Sequence, residues 1–178
     1  MGDILITDDE RDIRELISDI LQDEGYATRL AGTSDECMAA IASAPPALMI
    51  LDIWLKDSNM DGIDILKAVK REYPEVPVVI ISGHGNIEIA VAAIKQGAYD
   101  FITKPFDADT LLLTVDQGME KRRLSLQAQR LQEMEARARE LAQQKEDRRG
   151  RSGIVAAGIR RIEAGMLSYH ADMTLKNN

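Results

Sequence analysis

The sequence has one cysteine, Cys37, and no apolar run that approaches the length of a membrane span. A single cysteine excludes a disulfide framework and a cysteine metal cluster, and Cys37 itself fits a small buried hydrophobe. A spanning helix needs about 20 consecutive apolar residues, and the N-terminus lacks the pattern of a secretory signal peptide. We therefore expect a cytoplasmic protein that makes no use of a membrane.

Basic residues are scarce in the first two thirds of the chain. Residues 1–120 contain 23 Asp and Glu against 9 Lys and Arg, a net charge of −14, whereas residues 121–178 carry a net charge of +6. An acidic globule does not attract nucleic acid by itself, and the charges of the basic extension fit a solvated helix face. Direct nucleic-acid binding by this chain is therefore not expected.

Five short strand-like stretches, four of them apolar and the second weaker, alternate with five amphipathic segments in the first 120 residues. The runs lie at 4–6, 26–31, 47–51, 78–81 and 101–102. Between the first two, apolar residues recur at the spacing of a helix that Gly25 ends. Thr33 and Glu36 have the spacing of a capping box that opens the second helix. Because most of the runs are continuously apolar, they predict strands buried on both faces, hence an α/β fold with a parallel sheet covered by helices.

Polar side chains follow the ends of four of these strands. Asp8 and Asp9 follow the first, Asp52 the third, Ser82 the fourth and Lys104 the fifth. Ligands of such sheets bind outside the carboxyl ends of the strands, so these side chains should meet. Carboxylates held together repel one another, and Mg²⁺ is a hard cation that such oxygens bind. With a lysine and a hydroxyl added, the set suits phosphoryl transfer to Asp52.

Each element of this set also has an ordinary interpretation. Acidic residues at 8–10 favour a helix N-terminus because they complement its dipole, and Lys104-Pro105 fits a simple turn. The combination at neighbouring strand ends favours the phosphoryl-transfer site over separate structural roles.

Four stretches, ILITDDE, LMILDIW, VVIISGHG and YDFITKPF, resemble the signature stretches of two-component receiver domains. The resemblance covers about residues 1–122. More narrowly, LDIWLKDSNMDG and DEGYATR resemble the NtrX branch of NtrC-type nitrogen regulators. The resemblance implies a flavodoxin-like, doubly wound five-stranded parallel sheet in the order 2-1-3-4-5.

The resemblance also implies how the site works. Asp52 would be the phosphorylation site and would receive its phosphoryl group from a sensor histidine kinase of the NtrY type. Mg²⁺ would be the cofactor, with Asp8, Asp9, Asp52 and the backbone carbonyl of Trp54 as ligands. Lys104 would contact the acyl phosphate, and its bond to the following proline would be cis.

Ser82 and Phe101 would be the switch residues. The switch aromatic of many receivers is Tyr, so Phe101 departs from the pattern and lacks a hydroxyl to donate outward. The loop Leu55–Met60 is a second departure, since it is longer than usual and lacks the usual proline. Trp54 and His84 flank the site; either they control water access to the phosphate, or they are loop residues with no kinetic role.

The extension contains a heptad pattern. Positions a are Leu124, Leu131, Ala138 and Lys145, and positions d are Gln127, Met134 and Leu141. The pattern fits a dimerising coiled coil, with Arg130 facing Glu135 of a second copy, but it also fits a single solvated helix. RRGRSG predicts a flexible break near residue 150.

The expected domains are a receiver at 1–122, a helical linker at 123–149 and a tail of unknown structure and role at 150–178. The sequence contains no GxxxxGK[ST] motif, so we expect it to lack the ATPase and DNA-binding modules of the NtrX branch. The expected function is a phosphorylation-switched response regulator that forms a homodimer. It is not expected to be a turnover enzyme. The alternatives are a phosphorylation-independent dimerisation or interaction module and, less favoured by the missing modules, a DNA-binding regulator.

Overall fold

The apolar runs of the sequence form five strands of one parallel sheet. The computed structural model describes residues 2–83 and 87–176. The strands are β1 (Ile4–Thr7), β2 (Thr28–Ala31), β3 (Leu48–Asp52), β4 (Val78–Ser82) and β5 (Asp100–Thr103). Their order is β2-β1-β3-β4-β5, with every neighbouring pair parallel. The expected α/β fold and strand order are confirmed.

Helices cover both faces of the sheet. They are α1 (Arg11–Asp23), α2 (Ser34–Ser43), α3 (Gly62–Glu72), α4 (Ile87–Lys95) and α5 (Ala108–Lys176). One core cluster joins the sheet to α2, α3 and α4, and the other joins it to α1 and the start of α5. The three central strands are buried along their whole length. This burial explains why their sequences are apolar at consecutive positions.

The ends of the helices follow local sequence signals. The hydroxyl of Thr33 accepts the amide of Glu36 at 3.2 Å, as a helix N-cap should. The carboxylate of Glu36 accepts from the amide of Gly32 at 2.6 Å, one residue before the capping-box position. Gly25 follows α1 with φ +88°, a left-handed conformation that glycine adopts without strain.

Helix α5 continues without interruption from Ala108 to Lys176. The expected flexible break at RRGRSG is therefore wrong. Gly150 and Gly153 each cost a helix only about 1 kcal/mol relative to alanine, and the neighbouring arginines are good helix formers. The chain divides into two compact units between Gln127 and Ala128. Among the residues described, no helix combines the length and hydrophobicity needed to cross a bilayer.

The one cysteine lies in the core between the sheet and α2. Cys37 is fully buried, and burial raises the pKa of its thiol from 9.0 to about 11, although a hydrogen bond with Thr7 opposes the shift. A thiol reacts with alkylating agents as the thiolate. This environment confirms Cys37 as a small buried hydrophobe.

Alkylation of Cys37 should therefore be slow in the folded protein. Because the pKa of the thiol rises from 9.0 to about 11, the folded protein has about one hundredth as much thiolate at pH 8 as a thiol with the unshifted pKa. Burial also blocks the access of the reagent. We expect iodoacetamide to label the native chain at least about 100-fold more slowly than the urea-unfolded chain, measured by intact mass. Equal rates in the two states would contradict the buried position.

Candidate functional site

The carboxyl ends of the strands bring the expected site residues together. In the sheet, Thr7 pairs with Leu51, Asp52 with Ile81, and Ser82 with Thr103. Asp8 and Lys104 are the residues that directly follow β1 and β5. The parallel register therefore aligns all four strand ends at one edge.

Lys104 connects the two buried carboxylates of this edge. Its Nζ lies 2.7 Å from Asp8 Oδ2 and 3.0 Å from Asp52 Oδ2. The side chains of Lys104, Asp8 and Asp52 are only 13%, 2% and 6% exposed. Burial alone would lower the pKa of Lys104, but the contacts with Asp8 and Asp52 outweigh burial and raise it. Lys104 is therefore held as a cation between two carboxylates.

Asp8 has the least favourable surroundings of the site. Burial raises its pKa, and the contacts with Lys104 and with the amide of Glu10 offset only part of that effect. Oδ1 accepts the Glu10 amide at 2.8 Å. The contact of Oδ2 with Lys104 is an ion pair, and Oδ2 has no hydrogen-bond partner of regular geometry among the described residues. A buried carboxylate oxygen in this state has capacity for a further positive ligand.

The carboxylates of Asp8, Asp9 and Glu10, here called the acidic group, fit a divalent cation. Asp8, Asp9 and Glu10 each offer a carboxylate oxygen within 4.8 Å of the other two. Oxygen ligands of this kind, together with the under-coordinated Asp8 Oδ2, suit Mg²⁺. Glu10 was not among the expected ligands. Asp52 is connected to this group through Lys104, and the contact that the structure shows for Trp54 is its amide donating to Asp52 Oδ1 at 3.1 Å.

Of the two expected switch residues, Ser82 ends β4 at this edge and Phe101 lies within β5. Ser82 is fully buried at the end of β4, and its carbonyl accepts the amide of Lys104 at 2.9 Å. Phe101 is half-buried on β5 and packs against the core cluster of α2, α3 and α4. The Lys104–Pro105 bond is cis, as expected. Trp54 is 50% exposed, and His84 lies outside the described residues.

The loop after Asp52 is fastened to the start of α2 and to the acidic group. Ser58 Oγ accepts the amide of Ser34 at 3.1 Å, and Asn59 donates to the carboxylate of Asp35 at 3.2 Å. The amide of Lys56 donates to Asp9 Oδ2 at 3.3 Å. A loop without its usual proline is thus held by hydrogen bonds.

Two further residues position the site and were not among the expected ones. Arg14 of α1 donates to the backbone carbonyl of Asp8 at 2.6 Å. Gly62 lies so close to β3 that a Cβ there would be 2.3 Å from the carbonyl oxygen of Asp52. The pair Asp61-Gly62 reads as an ordinary turn or helix start in the sequence, so the close approach becomes visible only in three dimensions.

Comparison with known proteins agrees with this geometry. The response regulator receiver domain family matches residues 4–116. The nitrogen assimilation regulatory protein NtrX of Azorhizobium caulinodans is 54% identical over 132 residues, which are 74% of this chain and 29% of that protein. A putative NtrX-like response regulator of Rickettsia bellii is 50% identical over 122 residues, 68% of this chain and 26% of that protein.

Solved structures show the same similarity. The crystal structure of the receiver domain of NtrX from Brucella abortus is 55% identical, with a TM-score of 0.64, and the match covers 66% of this chain and 98% of that one. NtrX from Brucella abortus in complex with ATP is 52% identical, with a TM-score of 0.70, over 73% of this chain and 29% of that one. The chain thus spans less than a third of the length of the longer relatives it matches.

Replacing Gly62 with alanine should disturb the backbone under Asp52. A Cβ at 2.3 Å from a carbonyl oxygen forces the backbone to shift, so we expect a loss of about 1–3 kcal/mol in the free energy of unfolding, measured in urea. Gly83→Ala is the matched control, because its Cβ would meet Lys104 at an ordinary 3.8 Å. An equal effect of both substitutions would contradict the close approach.

Mg²⁺ should stabilise the protein through the acidic group. A ligand that binds only the folded state at 100 times its Kd adds about 2.7 kcal/mol of stability. We expect Mg²⁺ to raise the Tm of the wild type and of Asp23→Asn, a control on the exposed end of α1. Asp9→Asn should lose most of this rise. A rise that persists in Asp9→Asn would mean that the ion binds elsewhere.

Proposed function

This chain belongs to the response regulator receiver family, and on that premise we propose that it is the phosphoacceptor of a two-component system, phosphorylated on Asp52. The observation that carries the proposal is Lys104, which pairs with Asp52 at 3.0 Å and with Asp8 at 2.7 Å in a nearly buried cluster. Asp8 Oδ2 has the ion pair with Lys104 but no hydrogen bond of regular geometry among the described residues, and a purely structural cluster would gain nothing from that remaining capacity. In a site that receives a phosphoryl group and a cation, this oxygen of Asp8 can bind the cation.

The transfer needs an attacking oxygen and compensation of charge. A carboxylate oxygen of Asp52 would attack the phosphorus of a phosphohistidine, forming an O–P bond as the P–N bond breaks, and the departing imidazole would take up a proton. Lys104 is placed to offset the negative charge of the phosphoryl oxygens. The Trp54 amide, which donates to Asp52 Oδ1, orients the carboxylate.

Mg²⁺ would supply the further positive charge that a phosphoryl group requires. Asp8 and Asp9 are the residues that would hold it, with Asp52 and the Trp54 backbone carbonyl as the remaining expected ligands. The acidic group around Asp8 supports this assignment.

The phosphorylated state would be transmitted through the switch residues. A phosphoryl group on Asp52 would attract the Ser82 hydroxyl, and Phe101 would move further into the core. The surface concerned is that of α4, β5 and α5, where α4 exposes Ile87, Val91 and Ile94 and α5 exposes Leu113. A change beneath this surface would alter how it binds a second copy or a partner.

The donor in this proposal is a sensor histidine kinase of the NtrY type, since the relatives are NtrX and NtrX-like regulators. The chain would act in the cytoplasm, where such a kinase presents its phosphohistidine. It would not be a turnover enzyme, because its phosphoryl group is formed on the protein itself and is then lost to water.

One observation favours a second candidate function, a phosphorylation-independent interaction module. Apolar residues of α5 beyond the receiver are exposed; Leu131, Met134 and Leu141 are examples. A surface of this kind can bind without a switch.

Phosphorylation should be detectable by intact mass. With Mg²⁺ and acetyl phosphate, we expect the wild type to gain the mass of one phosphoryl group and Asp52→Asn to gain none. Asp57→Asn is the matched control, because this exposed carboxylate lies in the same loop at φ +54°, a conformation that asparagine tolerates. It should be labelled like the wild type.

Three outcomes separate the candidates. Mg²⁺-dependent labelling that Asp52→Asn abolishes supports the phosphoacceptor, and a parallel change in the dimer fraction supports the switched surface. No labelling of the wild type, together with a stable dimer, would favour the phosphorylation-independent module. Labelling that persists in Asp52→Asn would refute Asp52 as the acceptor.

A further inference from the structure

The family match ends at residue 116, but α5 continues to Lys176 and carries a pattern that needs its own explanation. Within the unit that begins at Ala128, one heptad register continues through the whole helix. Positions a are Leu131, Ala138, Lys145, Ser152, Ile159, Met166 and Met173. Positions d are Met134, Leu141, Arg148, Val155, Ile162 and Tyr169.

This register contains two apolar blocks and a polar layer. The first block is residues 131–141 and the second block is residues 155–173. The polar layer between them is Lys145, Arg148 and Ser152. The second block has six consecutive a and d positions, all apolar or aromatic, and is therefore the more regular of the two.

The second block is exposed along the helix. Its six seam residues are between 49% and 66% exposed. Contiguous apolar surface of this extent marks a site of association on soluble proteins. A single solvated helix gives no reason for apolar residues to recur every three and four positions.

The four glycines of α5 beyond residue 128 point to the same conclusion. Gly150, Gly153, Gly158 and Gly165 are helical, and a Cβ at any of them would meet no atom within 4 Å. Each costs an isolated helix about 1 kcal/mol relative to alanine. None of them occupies an a or d position. A helix weakened in this way gains its stability from packing of its apolar face rather than from propensity.

We propose that the occupant of this face is a second copy of the same chain, packed as a parallel, in-register coiled coil over residues 131–173. In this arrangement each apolar block meets its own copy, and the polar layer meets only the polar layer, where its side chains reach water. Arg130 at position g faces Glu135 at position e of the second copy, which is an opposite-charge pair. An antiparallel pair with the two blocks facing each other would place Lys145 against Val155.

The second block, rather than the expected linker at 123–149, then supplies most of the apolar seam. The dimer is constitutive, since nothing in this face depends on Asp52. The polar layer weakens it, because Lys145 and Arg148 face like charges on the second copy. The dimer should consequently tighten when salt screens that repulsion.

Paired substitutions in the full-length chain test the seam. Ile159→Asp with Ile162→Asp places two carboxylates at positions a and d. Ile154→Asp with Leu167→Asp places two at positions c and b, on apolar residues that are somewhat more exposed. By sedimentation equilibrium we expect the first pair to raise the dimer Kd at least about tenfold and the second to leave it nearly unchanged. Both variants should still be phosphorylated on Asp52 if the wild type is, which shows that the receiver is folded.

A monomeric wild type at micromolar concentration would overturn the proposal, and so would an equal response of the two variants. These outcomes are independent of the phosphoacceptor proposal, because phosphorylation of Asp52 is scored separately by mass.

A cross-link tests the orientation. Under mild oxidation, Ser152→Cys at position a should form a disulfide between copies, whereas Ser168→Cys at position c should not. The native Cys37 is buried and does not compete. A dimer that responds to the seam substitutions but leaves Ser152→Cys unlinked would overturn the parallel register.

Discussion

The ion pairs of Lys104 with Asp8 and Asp52 are the interaction on which the site depends. Two nearly buried carboxylates at neighbouring strand ends repel each other, and one cation between them makes their position tolerable. The pairing is possible only because β1, β3 and β5 are parallel and end at one edge of the sheet. Yet it leaves one oxygen of Asp8 without a hydrogen-bond partner among the described residues. The same arrangement that stabilises the resting chain thus keeps capacity for further positive charge.

Arg14 and Gly62 support the site through its backbone rather than through its carboxylates. Arg14 holds the carbonyl of Asp8, and Gly62 allows the chain to pass close under Asp52. The loop between Asp52 and Gly62 is joined to α2 by hydrogen bonds of Ser58 and Asn59. These particular contacts fix the positions of the reactive groups without occupying their carboxylate oxygens, which contributes to a preorganised site.

Much of the fold and the site follows from the sequence. Strands buried on both faces are apolar at consecutive positions, so β3 and β4 could be predicted from the sequence alone. The polar residues that end these two strands mark the site. The roles of Gly62 and Arg14 could not be predicted from the sequence, because they depend on contacts with residues distant along the chain. The expected break at RRGRSG is wrong for a different reason. Glycine signals a break only locally, and here the heptad spacing continues on both sides of it.

Trp54 is the single tryptophan of the sequence. It is 50% exposed, and its amide donates to Asp52 Oδ1. The backbone of Trp54 therefore contacts the acceptor, while the residue is half exposed to solvent. The chain thus carries its own fluorophore two residues from the acceptor, with no second indole to mask it. Emission of the unlabelled protein reports on one place in the molecule, so events at Asp52 can be followed optically in real time.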